Sequence, residues 1–224
     1  PGMPMGMAEI AVALWGKHLR HNPADPKWMD RDRFVVSNGH GSMLLYALLH
    51  LSGYDLSMDE IRAFRQLHSK TPGHPEYGHT VGVETTTGPL GQGVANGVGM
   101  AMAARFVRGL LTVNNDLESS ELFSPNIWVL CSDGDLQEGV SAEASSLAGT
   151  QELGNLIVIY DDNRISIEGD THVAFTEDVA ARYRAYGWHV QEIAAAADGS
   201  VDIPALDEAI EKAKAETTKP SLIR

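Results

Sequence analysis

The chain has 224 residues, 43% of them hydrophobic, enough for one large α/β domain with a buried core. Thirty acidic residues against seventeen basic ones give a net charge of −13, which argues against a nucleic-acid or anionic-membrane surface, since both would be repelled. An anionic ligand must therefore be held locally, by a metal ion, helix N-termini or backbone amides.

In chain order, the first half reads as helices and loops. Helices are expected over Pro4–Leu19, over His40–Leu51 with Gly53 as its stop, and over Met58–Leu67, where Ser57-Met58-Asp59-Glu60 has the form of a capping box. From Ser69 to Gly93 the chain is rich in Gly, Thr, Pro and His, and so long an irregular segment in a compact domain usually serves a function. A helix follows over Gly93–Phe106, whose small residues Gly93, Gly97 and Ala101 allow another backbone to approach closely. Asn114–Pro125 is polar and reads as a surface excursion.

The second half is regular. Strands are expected at Ile127–Cys131, Leu156–Tyr160, Trp188–Ile193 and Ser221–Ile223, with helices at Val140–Leu153, Asp178–Tyr186 and Pro204–Lys214 between them. That alternation predicts an α/β fold, a doubly wound parallel sheet with helices on both faces, formed by residues 1–224 as a single domain. The lone cysteine, Cys131, cannot make an intrachain disulfide. No apolar run reaches the roughly 18 to 20 residues of a membrane span, and no segment reads as a signal peptide. The expected compartment is the cytoplasm. The start at Pro1-Gly2 and the strand barely entered at Ser221–Ile223 read as cut ends.

In such a sheet, ligands bind beyond the carboxyl ends of the strands. Ile127–Cys131 is followed there by Ser132-Asp133-Gly134-Asp135, and Leu156–Tyr160 by Asp161-Asp162-Asn163-Arg164-Ile165. If the two strands are neighbours, Asp133 and Asn163 emerge side by side. Their side-chain oxygens, with the main-chain carbonyl of Ile165, are hard ligands suited to Mg2+ or Ca2+ that leave coordination positions for phosphate oxygens. Gly134 lets backbone approach a phosphate, and the helix after Glu138 can offer N-terminal amides. The inferred ligand is a metal-bound diphosphate. A lone Asp-Gly pair is most often a turn, but its position, with an asparagine 30 residues on after the next strand, fits the thiamine-diphosphate motif. A calcium loop, a dinucleotide fingerprint and a Walker motif all fit worse.

Four further stretches carry a resemblance to a known family: Pro1-Gly2-Met3-Pro4-Met5-Gly6-Met7-Ala8, Arg31–Ser42, Ser69-Lys70-Thr71-Pro72-Gly73-His74-Pro75-Glu76, and Val83–Gly93 with its Thr85-Thr86-Thr87-Gly88-Pro89-Leu90-Gly91 core. With the metal motif, they make the chain similar to the N-terminal, thiamine-diphosphate-binding domain of transketolase. The resemblance implies transfer of a two-carbon ketol unit from a ketose phosphate to an aldose phosphate by a homodimer, with thiamine diphosphate and Mg2+ or Ca2+ as cofactors and sugar phosphates as substrates.

It also implies roles for single residues. Asp133, Asn163 and the Ile165 carbonyl would hold the metal, and Gly134, Asn163 and His40 would contact the diphosphate. The Gly88-Pro89-Leu90 turn would meet the cofactor's rings. His74 would face the donor sugar, so that His40 and His74 are the catalytic candidates. Glu138 and Glu143 would join an acidic cluster between the two active sites of the dimer. Ser132 stands where the family often has glycine. The family's pyrimidine-binding and C-terminal domains, its cofactor-protonating glutamate and its substrate-phosphate arginines would lie beyond Arg224, and one active-site histidine before Pro1. A non-catalytic or split-subunit cofactor-binding module and dihydroxyacetone synthase are the alternatives.

Overall fold

The computed structural model describes residues 2–115, 123–196 and 199–224. Five parallel strands form its main sheet in the order β1-β2-β3-β7-β6: β1 (Arg33–Val36), β2 (Ile127–Ser132), β3 (Leu156–Asp161), β6 (His189–Gln191) and β7 (Ser221–Ile223). A two-residue-per-strand hairpin, β4 (Ile165–Ser166) and β5 (Gly169–Asp170), stands apart from it.

Buried strands carry apolar residues at every position because both faces are covered. Along β2, Trp128 and Leu130 enter one core with Phe34, Val36, Ile157 and Ile159, while Ile127, Val129 and Cys131 enter the other with Val35, Leu156, Val158 and Tyr160. The first core is covered by α2 (Ala8–Ala13), α3 (Ser42–Leu51) and α9 (Ile203–Ala215), and the second by α5 (Gln92–Asn115), α7 (Gly139–Thr150) and α8 (Val179–Ala185).

Topology explains that division. The chain moves in one direction across the sheet from β1 through β2 and β3 to β6, with α5, α7 and α8 on the same face. It then steps back to place β7 between β3 and β6, so a right-handed crossover requires α9 on the opposite face. The doubly wound arrangement is as expected.

Several boundaries differ from expectation. The first helix is divided into α1 (Gly2–Gly6), α2 and a π-helical turn, Leu14–His18. The ring of His18 is buried and is bonded to Asp207 and Glu211 of α9 at 2.7 and 3.0 Å, so this turn anchors the amino-terminal segment to α9. The third helix, α4, covers only Met58–Arg62. Ser57 caps it by accepting from the Glu60 N–H, but the Glu60 carboxylate accepts from Lys70 N–H at 2.7 Å instead of completing the reciprocal cap. Positive φ at Arg65 and His68 then ends the helical path.

The helix after the irregular segment is longer than its small-residue core, extending to Asn115. Of the polar excursion expected over 114–125, residues 116–122 lie outside the described residues. The strand expected over Trp188–Ile193 is confined to three residues paired with β7. A helix not anticipated, α6 (Asp133–Gln137), follows β2 directly, so the amides nearest Asp133 belong to it and not to the helix after Glu138.

The small residues of α5 do allow the close approach expected of them. A Cβ at Gly93 would lie 2.5 Å from Ser37 Cα, and one at Gly97 would run into Val129 Cγ2. Gly99, on the open side of the same helix, has nothing within 4 Å. Gly97→Ala should therefore destabilise the protein by about 1–3 kcal/mol through overpacking, whereas Gly99→Ala should stabilise it by about 0.5–1 kcal/mol through helix propensity. Urea unfolding of the two variants gives opposite shifts in midpoint if α5 packs this way.

Candidate metal and cofactor site

After β1 the chain turns through Gly39–Gly41 into α3 on the first face, while after β2 it enters α6 and α7 towards the second. Neighbouring strands whose connections leave in opposite directions open a crevice at their carboxyl ends. One buried side chain spans it. Asp135, fully buried, accepts from Ser37 Oγ–H at 2.6 Å and Gly91 N–H at 2.9 Å through Oδ1, and from Ser132 N–H at 3.1 Å through Oδ2. Ser37 Oγ in turn accepts from Val94 N–H at 3.2 Å, which brings the start of α5 into the same network. Burial raises the pKa of Asp135, and the bonds from Ser37, Gly91 and Ser132 oppose that rise.

β2 and β3 are adjacent and in register, with Ser132 opposite Asp161, so Asp133 and Asn163 both emerge within two residues of the last pair. Asp133 is 2% exposed. Its Oδ1 accepts from the Tyr160 hydroxyl at 2.6 Å, whereas its Oδ2 is buried and has no hydrogen-bond partner among the described residues. Burial raises the Asp133 pKa and the charge of Asp162 adds to the rise, with the Tyr160 bond and the nearby backbone N–H groups of Asp133 and Arg164 opposing it; burial likewise pushes Asp161 up to about 6.

Asn163 is exposed, and its carboxamide is engaged in its own loop: Oδ1 accepts from Ile165 N–H and Nδ2 donates to Asp161 Oδ2, both at 2.9 Å. The two residues border different hollows. Asp133 lines one of about 350 Å3 with Thr171 and His172, and Asn163 one of about 670 Å3 reaching to Ile193; Tyr160, Asp162, Arg164 and Arg224 are common to both.

The irregular segment before α5 closes on this rim. Leu90 lies over Gly134, where a Cβ would come within 2.8 Å of Leu90 Cδ1. Gly88 has φ +142°, a backbone conformation that only glycine adopts readily, and the His74 ring lies against it, 3.1 Å from where a Cβ would stand. Glu138 abuts Gly91. His40 is within electrostatic reach of both Asp135 and His74. His74 and His40 are both exposed, whereas Pro75 is buried. Glu143 is separate, exposed on α7.

The family model for "Transketolase, thiamine diphosphate binding domain" matches residues 1–224. This chain belongs to the transketolase family. Among its relatives, transketolase 1 of Aliivibrio fischeri is 58% identical over 223 residues, and transketolase of Geobacillus stearothermophilus is 56% identical over the same length. Each alignment takes in 100% of this chain and 32% of the relative, so the chain spans about a third of the length of these curated relatives. Among solved structures, transketolase from Leishmania mexicana superposes with a TM-score of 0.91 at 49% identity, over 99% of this chain and 32% of the other. That of Campylobacter jejuni gives 0.89 at 53% identity, over 100% and 33%.

The family's domain binds thiamine diphosphate, and the residues present here fit a divalent metal with it. The fit rests on Asp133 Oδ2, a buried carboxylate oxygen without a partner among the described residues. Such an oxygen is strongly disfavoured unless a cation or donor reaches it. No cluster of three or more His, Cys, Asp or Glu side chains capable of holding a metal occurs among the described residues, which is compatible with a set of one carboxylate, one amide and one main-chain carbonyl.

Asp135 and Tyr160 are the residues that sequence reasoning missed. The only local signal for Asp135 is its spacing of three from Ser132 before a helix, a capping-box spacing. Tyr160 reads as one more apolar strand position, and nothing in the sequence singles it out.

The His40 pKa is held below 6.5 chiefly by desolvation, with the charge of His74 lowering it further and that of Asp135 raising it. His40 should therefore titrate below the ordinary histidine value when followed by NMR of its ring. Asp135→Asn should move the midpoint down and His74→Gln up; the opposite shifts would show that the three groups do not share this mouth.

Proposed function

We propose that the protein to which these 224 residues belong is a transketolase, transferring a two-carbon ketol unit from a ketose phosphate to an aldose phosphate with thiamine diphosphate and a divalent metal, Mg2+ or Ca2+. The observation that carries this reading is a buried carboxylate oxygen of Asp133 without a partner among the described residues, at the crevice of a chain that the model of the family's cofactor-binding domain matches over residues 1–224. Bound thiamine diphosphate supplies the electron sink for breaking a carbon–carbon bond beside a carbonyl. On this reading Asp133, Asn163 and the Ile165 carbonyl hold the metal, and Asn163 must turn its free oxygen lone pair, or its whole carboxamide, toward the ion.

Gly134 and the short α6 bring backbone close to the diphosphate, with His40 as a side-chain donor from across the crevice. Gly88, Pro89 and Leu90 cover the cofactor's rings. His74, on the outer side of Gly88, meets the hydroxyl groups of the donor sugar and holds or moves a proton there.

We assign residues 1–224 to a single diphosphate-binding domain that carries half of each active site, the pyrimidine-binding half belonging to a partner subunit in a homodimer. Supporting this is the outer side of α5 and α7, where Met102, Phe106 and Leu147 are exposed alongside Glu143. Glu138 and Glu143 would face the partner there. No helix among the described residues is long and apolar enough to cross a membrane. A cytoplasmic location is proposed from the single cysteine.

Two measurements test the reading. In the full-length protein, Asp133→Asn should lower ketose-phosphate cleavage by at least about 100-fold at fixed Mg2+, partly recovered by raising the metal concentration. The 224 residues alone should show no turnover at saturating thiamine diphosphate and Mg2+, because general acid–base help worth about 100- to 10,000-fold would have to come from outside them. Turnover by the short chain at a rate comparable to the full protein would refute the half-site assignment.

A further inference from the structure

Asp133 is fixed at two points before any ion reaches it. Its backbone opens α6 immediately after Ser132, whose N–H is bonded to Asp135 at 3.1 Å, and one of its two carboxylate oxygens receives the Tyr160 hydroxyl at 2.6 Å. Tyr160 is itself fixed, 3% exposed in the centre of the sheet, opposite Cys131 in the register of β2 and β3. What remains free is Oδ2 alone, buried and unpartnered among the described residues.

We propose that Tyr160 presets Asp133 as a one-oxygen ligand and thereby makes the site favour a small octahedral cation over a larger one. This rests on the reading that Asp133 is a metal ligand. Mg2+ holds its ligands at about 2.0–2.1 Å in near-ideal octahedral geometry and takes carboxylates through single oxygens, whereas Ca2+ accepts six to eight oxygens at about 2.3–2.6 Å and often takes a carboxylate through both. Turning Asp133 to offer both oxygens would break the Tyr160 bond and strand a buried phenolic hydroxyl, because no other acceptor among the described residues is bonded to it. An unpaired buried hydroxyl is strongly disfavoured. The hydrogen bond therefore penalises the two-oxygen mode without touching the ion, and Tyr160 acts as a positioning residue.

The test uses the full-length protein, stripped of metal, with Mg2+ and Ca2+ titrated separately by calorimetry at saturating thiamine diphosphate. Tyr160→Phe removes one oxygen from a side chain that otherwise packs unchanged. It should weaken Mg2+ about 10-fold, in the range usual for residues behind a metal ligand, and leave Ca2+ unchanged or tighter. The Mg2+-to-Ca2+ preference then moves by about 10-fold or more. A second hydroxyl-free variant, Tyr160→Met, should shift the preference in the same direction. Equal weakening of both ions would make Tyr160 a merely structural residue and overturn the proposal, as would no change in either. Asp133→Asn separates this from the reading beneath it: if that variant binds both ions like the parent protein, Asp133 is not a ligand and the site assignment itself fails. If Asp133→Asn loses both ions while the preference of Tyr160→Phe stays put, only the present inference falls.

Discussion

The rim of the sheet depends on one buried carboxylate. Asp135 receives three hydrogen bonds, from the end of β1, from the loop leading into α5 and from the end of β2, and lies below the surface where water does not replace them. Hydrogen bonds to a charged group contribute about 1.5–3 kcal/mol each, yet burying a carboxylate is so unfavourable that its pKa still rises. The two effects largely offset one another. What the arrangement supplies is position: Ser37, Gly91 and Ser132 come from segments far apart in sequence, and only one relative placement of those segments satisfies all three donors. A hydrophobic residue at 135 would fill the same space without fixing which loop lies where.

A second constraint acts from below. At the amino ends of β1 and β2, fully buried Asp32 accepts from Trp128 Nε1–H at 3.0 Å, from Asn126 N–H at 2.9 Å and from Arg20 N–H at 3.1 Å. Glu84, pushed upward in pKa by burial, is bonded to Arg31 at 3.0 Å and so ties the irregular segment to the strand before the crevice. The two strands that frame the site are thus pinned by carboxylates at both ends, and the loop that covers it is held at Glu84 and again at Gly91. Between these anchors the chain carries Gly88, Pro89 and Leu90, the turn that lies over Gly134.

How much of this could be read from the sequence follows from the range over which each feature is determined. β2 and β3 were legible because Ile127–Cys131 and Leu156–Tyr160 are apolar at every position, a pattern that only a strand covered on both faces needs. The packing role of Gly93 and Gly97 was legible from their spacing. α6 was not: a five-residue helix beginning Asp-Gly-Asp has poor intrinsic propensity, and it forms because its start is tied to Ser132 and Leu136 is buried. The β4–β5 hairpin has two residues per strand, too few for any period to show. Asp135 was not singled out because the partners that give it its role, Ser37 and Gly91, lie 98 and 44 residues away. In the candidate site, the family resemblance brought His40, His74 and Leu90 into view where local chemistry did not, since a histidine beside two prolines is otherwise an ordinary loop residue.

Composition posed a difficulty that the site answers. A chain of net charge −13 has no general attraction for a diphosphate, and the rim where one is proposed to bind adds Asp133, Asp161 and Asp162 to the local charge. Arg224 offsets part of it, paired with Asp162 at 2.5 Å and Glu192 at 2.8 Å. Asp133 and Asp161 nevertheless titrate above the usual carboxylate range, chiefly through burial and further through the charge of Asp162, to which Asp133 adds its own in the case of Asp161. Carboxylates held in that state favour any cation that enters, because it reverses both the desolvation and the mutual repulsion at once. On the proposed reading, affinity for an anion is then borrowed from a dication, and the negative rim becomes the reason the ion stays. An arginine-rich pocket would hold diphosphate without a metal; on the proposed reading this rim, where Asp133 Oδ2 is buried without a partner among the described residues, holds the metal first.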